Sequence, residues 1–223
     1  MTNAVDSQAG KPQFRLLNAA FELFQNNEYN KVTTRQLAAK ACSSVGMIKY
    51  CFGSKQGLYE EVIRQQFNRL QKALLSAYSK EQGLDFSQLF LNYAGFHKHN
   101  PDHCQFIMNI LSHKNGPGYE LLTTLLDRKW DLLKTLIGNS QKNNHIIKEL
   151  DADVFCVALT SLSVFPFLIK EVLNQSDSIN SENIFENLAV FSAALFKVNL
   201  NCKDDLKQST MEAKIDKIEQ FTF

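Results

Sequence analysis

Breakers are scarce in this chain. Nine glycines and four prolines are spread over 223 residues, so long runs of helix-forming side chains go uninterrupted. The prolines sit as punctuation. Pro12 fits the first turn of a helix, where its missing N–H costs nothing, and Asn100-Pro101 and Gly116-Pro117 open two further segments. Pro166 alone falls inside an apolar run, where it predicts a bend. The chain therefore reads as all-α.

Apolar spacing divides it into helices. Leu17, Ala20, Phe21 and Phe24 lie at i, i+3, i+4, i+7 on one face of helix 1, and Asn26-Asn27 closes it through the left-handed conformation asparagine tolerates. Thr33 with Gln36 forms a capping-box pattern that opens helix 2, ending near Ala41. Ser43 or Ser44 caps helix 3, which runs to about Cys51. Helix 4 starts near Ser54 and is predicted to reach roughly Gln82, with Leu58, Val62, Phe67, Leu70, Leu74 and Leu75 as its stripe. Further helices are predicted over Phe86–Lys98, from Asn100-Pro101 to before Asn115, over Pro117–Ile137, over Asp151–Asn174 and over Ser181–Leu200. Gly138 to His145 reads as a polar loop, and the tail after Lys203 as a short amphipathic helix bearing Met211, Ile215 and Ile218.

Charge is unevenly placed. The formal total is +1, but residues 1–60 hold seven cations against four anions, leaving a slightly acidic remainder. A modestly basic head suits a local nucleic-acid contact. Five cysteines without paired spacing do not make a disulfide framework, and residues 1–10 lack the apolar stretch of a signal peptide, so a cytoplasmic setting is expected. Val154–Ile169 is broken by Thr160, Ser161, Ser163 and Pro166, short of the roughly 20 apolar residues that span a bilayer, so no membrane partner is expected.

The segment Val32–Leu58 is the most informative. Two short helices joined by a three- or four-residue turn let one helix enter a major groove while the other braces it. The ordered run Thr33-Thr34-Arg35-Gln36-Leu37-Ala38, Ala41, Ser44-x-Gly46 and Tyr50-x-Phe52-Gly53-Ser54-Lys55-x-Gly57-Leu58, with Ala19, Ala20, Leu23 and Phe24 before it, resembles the DNA-binding domain of TetR-type (tetracycline-repressor-like) regulators over about residues 11–70. The resemblance implies an N-terminal three-helix DNA-binding bundle with a helix-turn-helix, joined through a long helix to a helical ligand-binding and dimerisation domain over residues 71–202, with residues 203–223 as a tail of unassigned structure. Thr33, Thr34 and Arg35 are expected at phosphates or base edges from the start of helix 2. Ser43, Ser44, Val45, Gly46, Met47 and Lys49 open the recognition helix, and Tyr50 and Lys55 fall where the family contacts phosphate. Three departures bear on the operator. Glu28 replaces a usual glycine, which assigns the turn to Asn27. The Ala-Gly-Val-Ser turn is here Ala41-Cys42-Ser43-Ser44, and Lys49 replaces the first tyrosine of the recognition helix.

His99-Asn100-Pro101, Phe106 and Gly116-Pro117 resemble effector domains of one branch of that family. The resemblance implies a homodimer through the last two major helices, binding a double-stranded palindromic operator and released by a small effector. Phe90, Tyr93, Phe96, Phe106, Asn109, Trp130, Leu133, Phe155, Leu159 and Phe165 are the candidate ligand residues, and their aromatic character points to an apolar or aromatic ligand. No cofactor is expected. His99 and His103 have metal-ligand spacing, but Pro101 between them separates their faces, and no metal site is expected. Cys42 and Cys51 flank helix 3, so the alternative is a helical ligand-binding or redox-sensing regulator under thiol control. Enzyme motifs are missing: no Gly-rich phosphate loop, Gly-x-Ser-x-Gly, His-Glu-x-x-His or Cys-x-x-Cys occurs.

Overall fold

The computed structural model describes residues 11–79, 83–143, 148, 150–177 and, further on, 184, 187, 188, 190 and 191. In chain order they form α1 (Pro12–Asn26), a 3-10 turn (Tyr29–Lys31), α2 (Thr34–Lys40), α3 (Val45–Phe52), α4 (Lys55–Leu75), β1 (Tyr78–Ser79), β2 (Gly83–Leu84), α5 (Phe86–His99), α6 (His103–Leu111), α7 (Tyr119–Lys142), α8 (Ala152–Leu168) and α9 (Lys170–Gln175). The all-α expectation holds apart from one antiparallel pairing of two-residue strands, Tyr78 with Leu84 and Ser79 with Gly83.

The local signals act as their chemistry requires. The Thr33 hydroxyl accepts from the Gln36 N–H at 3.2 Å while the Gln36 side-chain oxygen accepts from the Thr33 N–H at 2.8 Å, a complete capping box. Ser44 accepts from the Met47 N–H at 3.3 Å and Ser54 from the Gly57 N–H at 3.0 Å, starting α3 and α4. Gly57 is needed for close approach, since a Cβ there would lie 2.1 Å from the Phe52 carbonyl oxygen that ends α3.

Two cores divide the interior. The first joins Leu16, Ala20, Phe24, Leu37, Ile48, Leu58, Val62, Ile63 and Phe67, and takes in Phe106, Ile110 and Leu122 from the body. The second gathers Leu70, Leu74, Leu89, Phe90, Tyr93, Leu133, Ile137, Phe155 and Leu159. Helix α4 belongs to both, with Leu58–Phe67 in one and Leu70 and Leu74 in the other. Each such buried side chain contributes about 1.5–3 kcal/mol, so α4 is held firmly at both ends.

Four boundaries differ from the sequence reading. Helix 4 stops at Leu75, not near Gln82, because Ser76 folds back on it: its hydroxyl donates to the Ala73 carbonyl at 2.7 Å, and Asn92 of α5 donates to the same carbonyl at 2.9 Å. The expected loop at Gly138 is the last turn of α7, where fully buried Ser140 accepts from the Leu84 N–H at 3.1 Å and ties helix to hairpin. The helix predicted over Asp151–Asn174 is two, divided at Ile169, three residues beyond Pro166. Asn27 is extended (φ −138°), not left-handed; it caps α1 by donating from its side chain to the Leu23 carbonyl at 2.8 Å. Most of the helix expected over Ser181–Leu200, and all of the 203–223 tail, lie outside the described residues.

Among the described residues no helix is long and apolar enough to cross a membrane. Helix α8 nevertheless exposes Val154, Val157 and Phe165, each more than half accessible, while its opposite side buries Phe155, Cys156 and Leu159.

Candidate nucleic-acid interface and internal cavity

Helix α3 is anchored by Ile48, with Met47 and Phe52 packed partly against the same core, and is open at four other positions. Ile48 is buried in the first core and Met47 packs partly against it, whereas Val45, Gly46, Lys49 and Tyr50 are exposed, Tyr50 at 84%. A Cβ on Gly46 would meet nothing closer than Ser44 Oγ at 3.7 Å, so its smallness serves no packing within the protomer. Thr33 and Arg35 are exposed at the start of α2, with Thr34 half-buried beside them. Ser43 is half-buried and Ser44 exposed at the turn. The candidate interface residues of α2, the turn and α3 are thus exposed or half-buried, with Met47 mainly an anchor.

The turn between α2 and α3 is strained. Cys42 has φ +47°, the one non-glycine residue with positive φ among the described residues, at the position where the glycine was lost. Its carbonyl and that of Ala41 accept from the Arg15 guanidinium at 3.4 and 3.1 Å, tying the turn to α1. Cys42 is exposed and Cys51 half-buried, both as free thiols.

Lys55 is less free than the sequence implies. Its ammonium donates to the Val32 carbonyl at 2.7 Å and the Tyr29 carbonyl at 2.8 Å and lies 3.9 Å from the Tyr29 ring centroid. Burial lowers its pKa. An ammonium has three donors, so one remains for a phosphate while two fasten the 3-10 turn to α4.

A cavity of about 320 Å³ lies in the body between α4, α5, α6, α7 and α8. Phe67 and Leu70 of α4 form one wall, and Ile107, Leu111, Leu126 and Val164 others. Of the ten candidate ligand residues, Tyr93 and Trp130 line it. Phe90, Leu133, Phe155 and Leu159 are in the second core and Phe106 in the first, where its ring meets those of Phe21 and Tyr59. Phe96 packs on the rings of His97 and His103, and Phe165 is exposed. Asn109 faces a smaller cleft between head and body and donates to the Gln25 carbonyl at 3.1 Å, joining α6 to the end of α1.

Lys129, His97 and Cys104 on the cavity wall are polar residues that sequence reasoning passed over. Lys129 is buried and donates to the Tyr93 hydroxyl at 2.8 Å. One signal could have exposed it: Leu122, Leu126, Leu133 and Ile137 trace an apolar stripe on α7, and Lys129 stands on that stripe. His97 and His103 are buried with ring centroids 5.4 Å apart, and Cys104 Sγ lies 3.2 Å from His97 Nδ1. Burial, then neighbouring His103 and Lys129, bring the His97 pKa down to about 3; burial and Lys129 bring that of His103 down to about 4; burial pushes the Cys104 thiol up to about 12. The ligand atoms of His97, His103 and Cys104 all lie within 4.8 Å of one another, so among the described residues these three, not His99, are the group that could hold a metal ion. His99 instead turns its Nδ1 to the Gly95 carbonyl at 2.7 Å.

Comparison with known proteins bears on both parts. Residues 16–62 match the family model of the bacterial regulatory proteins of the tetR family. Solved structures share the fold over most of the chain. Salmonella enterica GusR superposes with TM-score 0.67 at 18% identity, covering 91% of this chain and 99% of its own. A tetR-family regulatory protein from Rhodococcus RHA1 gives 0.65 at 17%, covering 87% and 100%. The fatty acid degradation regulator FadR of Bacillus halodurans gives 0.60 at 14%, covering 87% and 97%. No significant match was found among curated proteins.

Proposed function

We propose that this chain is a TetR-type DNA-binding transcriptional regulator, a homodimeric repressor released from a palindromic operator by a small apolar ligand; the match of residues 16–62 to the tetR-family model and the shared fold of the body support that reading. The observation that carries this reading is the course of α4. Its first half is buried against the α3-bearing core, and its Phe67 and Leu70 line the cavity. A ligand that filled the cavity would bear directly on the helix that positions α3. It would favour a state in which the two α3 helices of a dimer no longer match grooves about 34–36 Å apart.

In this reading Lys49 and Tyr50 reach the duplex from α3, with Val45 and Gly46 at the groove floor. Thr33, Thr34, Arg35, Ser43 and Ser44 contact the flanking backbone. Lys55 adds one phosphate contact through its remaining donor. The second protomer covers the Val154–Val157–Phe165 stripe of α8, an apolar surface of the kind monomers rarely leave open.

Titrating DNA with ligand-free protein at two salt concentrations tests the reading. Binding that weakens steeply with salt, with a slope set by several phosphate contacts per dimer, supports it. Absence of binding by a confirmed dimer, or a monomer at micromolar concentration, overturns it.

A further inference from the structure

We propose that the cavity takes a monoanion with an apolar body, a carboxylate whose charged end meets the Lys129 ammonium. The proposal deepens the effector reading above and rests on it only for the consequence at DNA.

The cavity wall carries more buried donors than acceptors. Lys129 is 3% exposed, and its one hydrogen bond goes to the neutral Tyr93 hydroxyl. No carboxylate among the described residues comes within ion-pair distance of it; Asp127, which also lines the cavity, is exposed and unpaired with it. Two ammonium protons therefore have no acceptor. On the same wall the buried Trp130 Nε1–H and both ring nitrogens of His103 lack any hydrogen-bond partner. Buried polar groups are ordinarily satisfied, and a buried cation is ordinarily paired. Here one lysine, one indole N–H and one neutral imidazole N–H stand on the wall of a single apolar cavity of a size small ligands fill. A carboxylate offers what they lack: one negative charge and lone pairs for several donors.

The electrostatics also choose between an anion and a metal ion. His97, His103 and Cys104 have suitable ligand atoms, but the Lys129 ammonium faces the two histidines and disfavours positive charge on them. A dication in the same place meets the same repulsion, whereas an anion is attracted.

Calorimetry on the full-length protein tests this with two matched pairs, decanoate against decan-1-ol and naphthylacetate against naphthylacetamide, using wild type and Lys129→Met. Wild type is expected to bind at least one carboxylate about tenfold or more tighter than its neutral partner, the scale of a charge-assisted hydrogen bond. K129M is expected to lose that preference through weaker carboxylate binding, with neutral binding unchanged. Equal affinity for acid and neutral ligand in wild type overturns the proposal, whether or not the variant folds. So does K129M that keeps the preference, or stoichiometric Zn²⁺ binding that Cys104→Ser abolishes. Neutral ligands that bind and release DNA while carboxylates do not would sink the proposal and leave the effector reading standing. Carboxylates that bind with the stated preference but leave DNA affinity unchanged would do the reverse.

Discussion

Replacing Cys42 by glycine should stabilise the protein, against the usual trend of substitutions at a structured turn. Cys42 holds φ +47°, and a residue with a Cβ loses about 1–2 kcal/mol in the left-handed region. Glycine removes that term, but its greater freedom in the unfolded chain takes back about 0.5–1 kcal/mol. The side chain is exposed, so no packing is lost. The turn's hydrogen bonds run through its backbone, Cys42 N–H to the Ala39 carbonyl at 3.1 Å and Ser43 N–H to the Ala38 carbonyl at 2.9 Å, and survive the change. The net gain is about 0.5–1 kcal/mol, or about 1–4 °C in Tm for a chain of this length. Cys42→Ala keeps the Cβ and should match wild type, while Cys42→Val, β-branched in a region such residues avoid, should lose stability. The assay is urea unfolding of all four proteins at one protomer concentration, since the proposed dimer would make the midpoint concentration-dependent. If glycine proved no more stable than alanine, or valine equalled alanine, the turn would not be strained and the account of the lost glycine would be wrong.

Other perturbations separate roles that overlap in the structure. Lys55→Met should lose about 2 kcal/mol, because two charge-assisted bonds to the Tyr29 and Val32 carbonyls disappear from a half-exposed site, and should lower the salt slope of DNA binding by about one. Unchanged unfolding would refute the fastening, and an unchanged slope the phosphate contact. Gly118→Ala should cost about 2–4 kcal/mol in thermal or urea unfolding: its φ is +88°, and the new Cβ would lie 2.4 Å from Ile63 Cδ1 and 3.0 Å from the Tyr59 ring on α4. A neutral result would mean that α7 and α4 are not in contact there. The depressed pKa values of His97 and His103 destabilise the fold in acid. Both stay neutral when folded but take up protons when unfolded, so stability is full above pH 6.5 and falls as pH drops toward 4, by about 1.4 kcal/mol per pH unit for each histidine. These rings face Lys129, Cys104 and Asp127 across the cavity. His103→Phe should flatten the decline, and an equally steep profile in that variant would place the titration elsewhere.

Where the sequence spoke through local chemistry, it was legible. Thr33 and Gln36 announce a capping box that is present in full, Ser44 and Ser54 cap the helices that follow, and Pro12 occupies a first turn. Where the outcome depended on tertiary partners, spacing alone misled. Nothing near Ser76 reveals that Asn92, sixteen residues on, will satisfy the carbonyl that ends α4. Gly138 looked like a breaker but sits inside α7, because Ser140 beyond it has a buried partner in the hairpin. Among the candidate ligand residues the same limit applies. Aromatic character marks a side chain for the interior without saying whether it faces a core or a void, so Phe106 and Phe155 became core while Phe67, read as core, lines the cavity. Lys129 was the better clue, since a charge on an apolar stripe needs a local explanation.

The central claim is that two α3 helices enter successive turns of one face of a duplex. Methylation protection on an operator selected from random DNA measures this directly. The account predicts two patches of protected guanine N7 atoms in the major groove, with centres about 10–10.5 base pairs apart or a multiple of that and related by a dyad. A single patch, protection confined to the minor groove, or no protection at saturating protein would contradict it.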